Sequence, residues 1–322
     1  MRLVLYGPSA YRFWIHAVRA PRPGPLSDER VLADAAPTTR AMAYLRQALP
    51  FLTAPVHLLT ARDSRRLGAD AIVHRSSRAY PDGSFLQAGN GIYVPCPALT
   101  AAQVAGGVDD LLLARALCLL LGTGAVAPDE RYGHRRRDAP ANRESLASYL
   151  AACPGVPGGN RVGRLLPHLV EGVASPAEAD LALALCLPYH LGGYHLRHPV
   201  ANHPIALSPQ GRAIAGQPVA VVDLCWPEHG LIVEYDSDLT HLNPEQHARD
   251  ASRRAALAHD GYHVMTITRE HLYGPRTLDP VAQTVARLDG ARLRPRSPRW
   301  PERHAALRRL PRGYDLADEA WE

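Results

Sequence analysis

The chain contains no lysine, so the 36 residues counted as lysine or arginine are all arginine. This absence excludes functions that depend on a lysine side chain, among them P-loop phosphate binding and Schiff-base catalysis. Neither Gly-x-Ser-x-Gly nor Gly-x-Gly-x-x-Gly occurs, so neither a hydrolase nucleophile elbow nor a dinucleotide-binding loop is indicated. Any basic chemistry in this protein therefore depends on arginine and histidine.

Cysteine is also sparse, and the five cysteines are scattered without a Cys-x-x-Cys pair. They are Cys96, Cys118, Cys153, Cys186 and Cys225. An odd number of distant cysteines indicates neither a zinc ribbon nor a disulfide framework, and their mostly apolar neighbours favour reduced core thiols. Reduced thiols are typical of cytoplasmic proteins, and we expect a cytoplasmic location.

Long hydrophobic runs are missing as well. The longest apolar stretch, Leu111 to Val126, is interrupted by Arg115 and is short for a bilayer, so it predicts a buried helix that ends at Gly122. Near the N-terminus, Gly7-Pro8 and Arg12 break the apolar run that a signal peptide needs. We therefore expect no membrane partner.

The chain does have an excess of positive charge and enough apolar residues for more than one core. A net charge of +5 and a pI near 9.1 favour a polyanionic partner. With 322 residues, of which 46% are hydrophobic, the length predicts two domains. The sequence indicates no oligomeric state.

Local patterns predict an α/β protein. Its predicted parts are a smaller α+β module over 1–126, a linker and helical connector over 127–174, a second domain over 175–290, and an arginine- and proline-rich tail over 291–322. In the first module we predict short strands between Pro55 and Val94 and one helix from Thr100 to Leu121. The eight arginines from Arg292 to Arg312 predict either a solvated tail or an arm that contacts phosphates.

The second domain has the predicted order helix, strands, helix, strand. Its first helix starts at Ser175-Pro176, with a cap and a proline in the positions that helix starts favour. The later elements are two strands, Ala220 to Trp226 and Leu231 to Asp236, a helix capped by Asn243 with Pro244 following, and a strand from Tyr262 to Thr268.

Two acids are predicted to face each other across a hairpin. A symmetric turn centred on Glu228 and His229 pairs Trp226 with Leu231, and the same register pairs Asp223 with Glu234. Facing like charges in apolar strands are unfavourable, and the alternation of a strand adds Asp236 to the Glu234 face. A divalent cation would compensate these oxygens, and Mg²⁺ or Mn²⁺ suits such ligands. A protonated or arginine-paired cluster, or another register, stays open as the alternative.

At these positions the sequence resembles the Vsr-like branch of the PD-(D/E)XK endonucleases. The pattern is an acid on a first helix, an Asp on one strand, Glu-x-Asp on the next, a His, an Asp-x-x-Arg helix and a Gly-aromatic-x-Val strand. In this chain it reads Glu178, Asp223, Glu234-Tyr235-Asp236, His241, Asp250 to Arg253, and Gly261-Tyr262-His263-Val264. The match covers about a third of the chain and implies a restriction-endonuclease-like core.

The resemblance implies roles for five residues. Asp223 and Glu234 are expected to bind the metal, which polarises the scissile phosphate and activates a water. Asp236 stands where many relatives have lysine, so either it joins the metal ligands or another group orients the water. His241 is the candidate for that task or for a phosphate contact. Glu178 is either a catalytic acid or only the capping acid of its helix.

The first module loosely resembles AbiEi-type antitoxins and regulators. The resemblance lies in Pro55 to Leu59, His74, and Gly91 to Pro97 ahead of an apolar helix.

From the nuclease-like pattern of the second domain we predict a Mg²⁺-dependent endonuclease that hydrolyses DNA phosphodiester bonds. The alternative is an antitoxin-like transcriptional regulator that uses an inactive nuclease fold to bind DNA, and RNA or tRNA modification stays open as a third class.

Overall fold

The computed structural model describes residues 2–62, 67–130, 133–236, 244–274, 277–293, 298–314 and 316. His241 and Asn243, which carry two of the predictions, lie outside the described residues. The chain forms two compact units, one of Met1–Pro167 with Tyr314–Glu322 and one of His168–Gly313. Helices and strands are mixed in both units, which confirms the α/β class.

The first unit combines helices with several small groups of strands. Its strands are β1 Leu3–Val4, β2 Arg22–Pro23, β3 Val56–Thr60, β4 Ala71–Arg75, β5 Phe85–Gly89, β6 Ile92–Pro95, β7 Gly124–Val126 and β8 His134–Arg136. Its helices are α1 Gly7–His16, α2 Asp28–Ala33, α3 Thr39–Ala48, α4 Pro97–Ala105, α5 Asp110–Leu120, α6 Arg143–Ala152 and α7 Gly159–Leu165.

The strands of the first unit form one four-stranded sheet and two pairs. The sheet has the order β1-β6-β5-β2, while β3 pairs with β4 in parallel and β7 pairs with β8 in antiparallel. Apolar side chains from the sheet and from α4, among them Val4, Tyr93 and Leu99, pack into one buried cluster. Burial of this cluster stabilises the unit at roughly 25 cal/mol per Å² of apolar surface.

The single helix predicted from Thr100 to Leu121 is wrong, because two helices occupy this stretch. Helix α4 ends before Gly106-Gly107, and α5 begins with its own cap, since the Asp109 carboxylate accepts a hydrogen bond of 2.8 Å from the Leu112 N–H. Two adjacent glycines favour a break, and an aspartate side chain satisfies an N–H that a new helix start leaves unpaired. The apolar character runs through both helices and hides the break from a hydropathy reading.

The second unit contains the predicted sequence of a helix, strands, a helix and a strand. Its elements are α8 Pro176–Cys186, β9 Val200–Ala206, α9 Pro209–Ala215, β10 Val219–Trp226, β11 Leu231–Asp236, α10 Pro244–His259, β12 His263–Thr268, α11 Arg269–Leu272, α12 Asp279–Leu288 and α13 Trp300–Leu307. The predicted element order is confirmed, with the short α9 inserted between the first two strands.

The strands of the second unit form one mixed sheet with the order β12-β11-β10-β9. β9, β10 and β11 are antiparallel neighbours, and β12 lies parallel to β11 after the crossover through α10. Apolar residues of the sheet, such as Val222 and Ile232, cluster with Ala256 and Leu257 of α10. This packing fixes α10 beside the two central strands.

The predicted hairpin register is confirmed. Trp226 pairs with Leu231, and the pairing continues to Leu224 with Val233. The turn closes at Gly230, whose φ of 57° is the left-handed conformation that glycine adopts without a steric penalty. The next residues on each strand are the two acids, Asp223 and Glu234.

Much of the arginine- and proline-rich C-terminal stretch belongs to the folded second unit. The Trp300 indole of α13 donates a hydrogen bond of 2.9 Å to the Gly193 carbonyl, and the His304 ring donates one of 2.8 Å to the Gly192 carbonyl. The approach is close, because a Cβ on Gly192 would lie 2.6 Å from the Arg303 carbonyl oxygen. Among the described residues, no helix is both long and apolar enough to cross a membrane.

Candidate metal centre

Glu178 is held at the N-terminus of α8 by contacts on both sides. Its own N–H donates to the Ser175 hydroxyl over 3.2 Å, as the predicted helix start requires. Its Oε2 atom accepts hydrogen bonds of 2.8 Å from the Ala174 N–H and 2.8 Å from the Asn202 side chain. Glu178 is buried, and its carboxylate is tied to strand β9 as well as to its own helix.

Asn202 interrupts β9 at the level of Asp223. The β9–β10 pairs on either side are His203 with Val222 and Ala201 with Leu224, so Asn202 lies opposite Asp223. Its φ of 50° is left-handed, a conformation that asparagine tolerates better than most residues. The Asn202 amide also donates a hydrogen bond of 3.0 Å to the Gly172 carbonyl.

Asp223 lies where the pairing of β10 with β11 stops. The last backbone pair is Leu224 with Val233, and beyond it the Asp223 Oδ2 atom accepts the Tyr235 N–H over 2.8 Å. Burial raises the pKa of Asp223 well above its usual value, and the neighbouring Glu178 and Glu234 raise it further. The Tyr235 N–H and Arg253 act in the opposite direction. Three acids from α8, β10 and β11 therefore share one electrostatic environment.

Glu234 is the acid of this group that is paired with an arginine side chain. It is buried, and both of its oxygens contact the Arg253 guanidinium of α10, one through Nη1 and the other through Nη2 at 3.3 Å. Arg253 Nη1 also donates to the Val221 carbonyl over 3.2 Å, and its Nη2 lies 3.8 Å from Asp250. For this acid, the arginine-paired arrangement left open by the sequence is the one that the structure contains.

Asp236 is also close to an arginine of α10. Its Oδ2 atom lies 3.7 Å from Arg254 Nη1. Among the described residues, Asp223, Glu234 and Asp236 do not bring their ligand atoms within 4.8 Å of one another, although Asp223 and Glu234 are electrostatic neighbours. The predicted triple of metal ligands is therefore not assembled in this conformation, and His241 lies outside the described residues.

The oxygens that remain suit a hard divalent cation. Asp223 Oδ1 and Glu178 Oε1 accept no hydrogen bond from the described residues, whereas the second oxygen of each carboxylate is fixed by N–H donors. Carboxylate oxygens are the ligands that Mg²⁺ and Mn²⁺ prefer. The chemistry of these donors is therefore compatible with the predicted metal, but among the described residues Glu178, Asp223 and Glu234 do not all bring a ligand atom within 4.8 Å of one another, and Glu234 is paired with Arg253.

A separate group in the described part of the chain does bring three ligand atoms within 4.8 Å of one another. It consists of Glu228, His229 and Asp289. His229 Nε2 is 2.6 Å from Asp289 Oδ1, and Glu228 lies 3.0 Å from Arg197. Nothing in the sequence indicates this group, because Asp289 lies 60 residues after His229. Its contacts explain it as a hydrogen-bonded pair beside a surface ion pair.

Arg253 is the site residue that sequence reasoning passed over. The Asp-x-x-Arg spacing is part of the motif, but the motif does not connect its arginine with Glu234, 19 residues earlier. The sequence does indicate that Glu234 has a positively charged partner, because an acid in an apolar strand needs an arginine or a metal when the chain has no lysine.

Comparisons of the chain with protein-family models, with curated proteins and with solved structures give no match. The functional interpretation therefore depends on the residues and on their geometry.

Proposed function

We propose that the second unit is a metal-dependent nuclease domain that hydrolyses DNA phosphodiester bonds with Mg²⁺ or Mn²⁺. The observation that carries this proposal is that Asp223, where the β10–β11 pairing ends, interacts electrostatically with Glu178 and Glu234, while Asn202 opposite it binds the Glu178 carboxylate. The element order and the mixed four-stranded sheet support the resemblance to a PD-(D/E)XK core.

The energetics favour a bound cation over a purely structural role for the acids. Bringing carboxylates together in a partly buried place destabilises the fold through like-charge repulsion and loss of hydration. The chain adds to this cost by holding Asn202 in a left-handed conformation, which fixes Glu178. Strain and unfavourable charge of this kind concentrate at functional sites.

Three acids of the second unit would hold the metal ion. Glu178 and Asp223 would hold Mg²⁺ through the oxygens that accept no hydrogen bond from the described residues, and Glu234 would join them from β11. When bound, the metal supplies polarisation of the scissile phosphate and activation of a water. The net charge of +5 favours approach of the nucleic-acid backbone.

The test is a cleavage assay on supercoiled, linear and mismatched DNA, with RNA of matched sequence as a further substrate, in Mg²⁺, Mn²⁺ or EDTA. We expect metal-dependent cleavage of DNA that EDTA and the Asp223→Asn substitution both abolish. Cleavage that persists in EDTA, or in Asp223→Asn with Mg²⁺, contradicts the proposal. Preference for RNA would move the domain to the third class of function.

A second candidate is a DNA-binding regulator without nuclease activity. It is favoured by the two arginines of α10, because Arg253 contacts both oxygens of Glu234 and Arg254 lies beside Asp236. The loose antitoxin resemblance of the first module points the same way. Salt-dependent DNA binding that is the same in EDTA and in Mg²⁺, together with no cleavage of any substrate, would favour this regulator.

A further inference from the structure

Arg253 is placed so that it can serve either the acids or a substrate. Its guanidinium contacts both oxygens of Glu234, and Nη1 also reaches the Val221 carbonyl on the neighbouring strand. The Arg253 side chain is 22% exposed and that of Glu234 is 7% exposed. The guanidinium therefore lies between a buried carboxylate and the surface of the site.

No other type of side chain can supply a permanent cation here. The chain has no lysine, and the residue two positions after Glu234 is Asp236. Arg254 follows Arg253 on α10, but it lies 3.7 Å from Asp236 instead. Arg253 is the arginine that helps lower the pKa of Asp223 in the acid group.

We propose that Arg253 exchanges partners, binding Glu234 when the metal is absent and the substrate phosphate when the metal is bound. This inference rests on the proposed function. A guanidinium forms the same bidentate pair of hydrogen bonds with a carboxylate and with a phosphate. Moving from Glu234 to the phosphate therefore preserves the number of hydrogen bonds that Arg253 makes. A divalent cation and Arg253 compete for the Glu234 oxygens, and binding of one releases the other.

The exchange predicts that Arg253 weakens metal binding while it strengthens phosphate binding. Calorimetric Mn²⁺ titrations of the full chain would compare wild type, Arg253→Gln, Arg253→Lys and the exposed same-helix control Arg249→Gln. All four are made in a His229→Ala background, which removes the other group of closely spaced ligand atoms, so wild type in these titrations means the chain with His229→Ala alone. We expect Arg253→Gln to bind Mn²⁺ roughly tenfold more tightly than wild type, and Arg249→Gln to bind it like wild type.

The second measurement is DNA affinity in Ca²⁺, in which binding is read without relying on cleavage. We expect Arg253→Gln to bind DNA more weakly and to reduce the slope of log affinity against log salt by about 1 relative to wild type. Arg253→Lys keeps the charge without the two-pronged geometry, so it should recover the salt slope while still binding Mn²⁺ more tightly than wild type.

The outcomes separate this inference from the proposed function. If wild type binds Mn²⁺ and Asp223→Asn does not, but Arg253→Gln and Arg253→Lys bind it no more tightly than wild type, the exchange of partners is wrong and the metal site stands. If wild type binds no Mn²⁺, or if Asp223→Asn binds Mn²⁺ as tightly as wild type does, both proposals fail. Should Arg253→Gln unfold without metal, Arg253→Lys alone decides the comparison.

Discussion

At the scale of single residues, Asp223 has an environment that disfavours its charge in the metal-free protein. Burial and two neighbouring acids raise its pKa, so the fold disfavours the charged carboxylate. A raised pKa of an acid in the folded state stabilises the fold at low pH, and this contribution is lost as the pH rises through the folded value. The contribution of Asp223 to the stability of the metal-free protein should therefore decrease as the pH increases above about 4.

The Asp223→Asn substitution tests this expectation because it keeps the shape of the side chain and removes its charge. In EDTA at pH 7 we expect a melting temperature a few degrees above that of wild type, in line with relief of about 1 kcal/mol or more. Added Mn²⁺ should raise the melting temperature of wild type and leave that of the variant unchanged. The exposed Asp138→Asn is the matched control, and equal behaviour of the two variants would contradict the unfavourable environment.

At the scale of elements, Asn202, a residue of β9 with a left-handed φ of 50°, links that strand to the acid group. The Asn202 amide donates to the Glu178 carboxylate and to the Gly172 carbonyl. Asn202→Gly keeps the backbone conformation and loses these hydrogen bonds, whereas Asn202→Ala loses them and adds backbone strain. We expect Asn202→Ala to lower the free energy of unfolding by about 1 kcal/mol more than Asn202→Gly in urea melts. Equal losses would mean that the conformation at 202 carries no strain.

In the first unit, the parallel pair of β3 and β4 contains an acid-sensitive contact. His57 Nδ1 and His74 Nε2 are 2.9 Å apart, and the His74 ring stacks on Tyr6 with 3.9 Å between centroids. Burial and the neighbouring His57 lower the pKa of His74 to about 4, and burial also lowers the pKa of His57. One neutral imidazole donates and the other accepts, an arrangement that double protonation breaks.

Acid should therefore destabilise the wild-type protein in a defined pH window. The unfolded chain binds more protons than the fold between about pH 4 and 6.5, so the stability present above 6.5 is lost as the pH falls through that range. His74→Phe keeps the stack on Tyr6 and removes the titrating ring, and we expect a smaller drop in melting temperature from pH 7 to pH 5. The exposed His259→Gln should lose as much as wild type, and a drop in His74→Phe equal to that of wild type would refute this account.

The contrast between local and distant contacts explains what the sequence could predict at this scale. The Trp226 to Leu231 register was predictable because a short symmetric turn determines it. The break between α4 and α5 was missed because both helices are apolar, although Gly106-Gly107 marked it. The Arg253 contact with Glu234 and the turn at Asn202 depend on packing between elements, which periodicity does not encode.

At the scale of the whole molecule, the candidate site lies within one unit. Glu178, Asp223, Glu234 and Arg253 all belong to His168–Gly313. The unit also includes α13, from the stretch whose composition suggested a solvated tail or a phosphate-contacting arm. A truncation after Leu288 would therefore remove packed structure as well as positive charge, so its effect on DNA binding cannot be assigned to arginines alone.

Helix α13 is held on the rest of the second unit by several hydrogen bonds to main-chain carbonyls. Besides the bonds from Trp300 and His304 to Gly193 and Gly192, the Arg308 guanidinium donates to the carbonyls of His271 and Leu272, 2.9 Å from each. These groups satisfy main-chain oxygens in the Gly192-Gly193 loop and at the end of α11, and Trp300 and His304 stack at 4.6 Å. A fragment of residues 168–313 should therefore melt cooperatively and show the same Mn²⁺-dependent rise in melting temperature as the full chain. A fragment of residues 168–288 lacks these contacts, so it should melt about 10 °C lower or more, or without a cooperative transition. Trp300→Ala in the longer fragment controls for chain length and should give an intermediate melting temperature. Identical melting of the two fragments would mean that α13 contributes nothing to the second unit, and an arginine-only account of the C-terminal stretch would then stand.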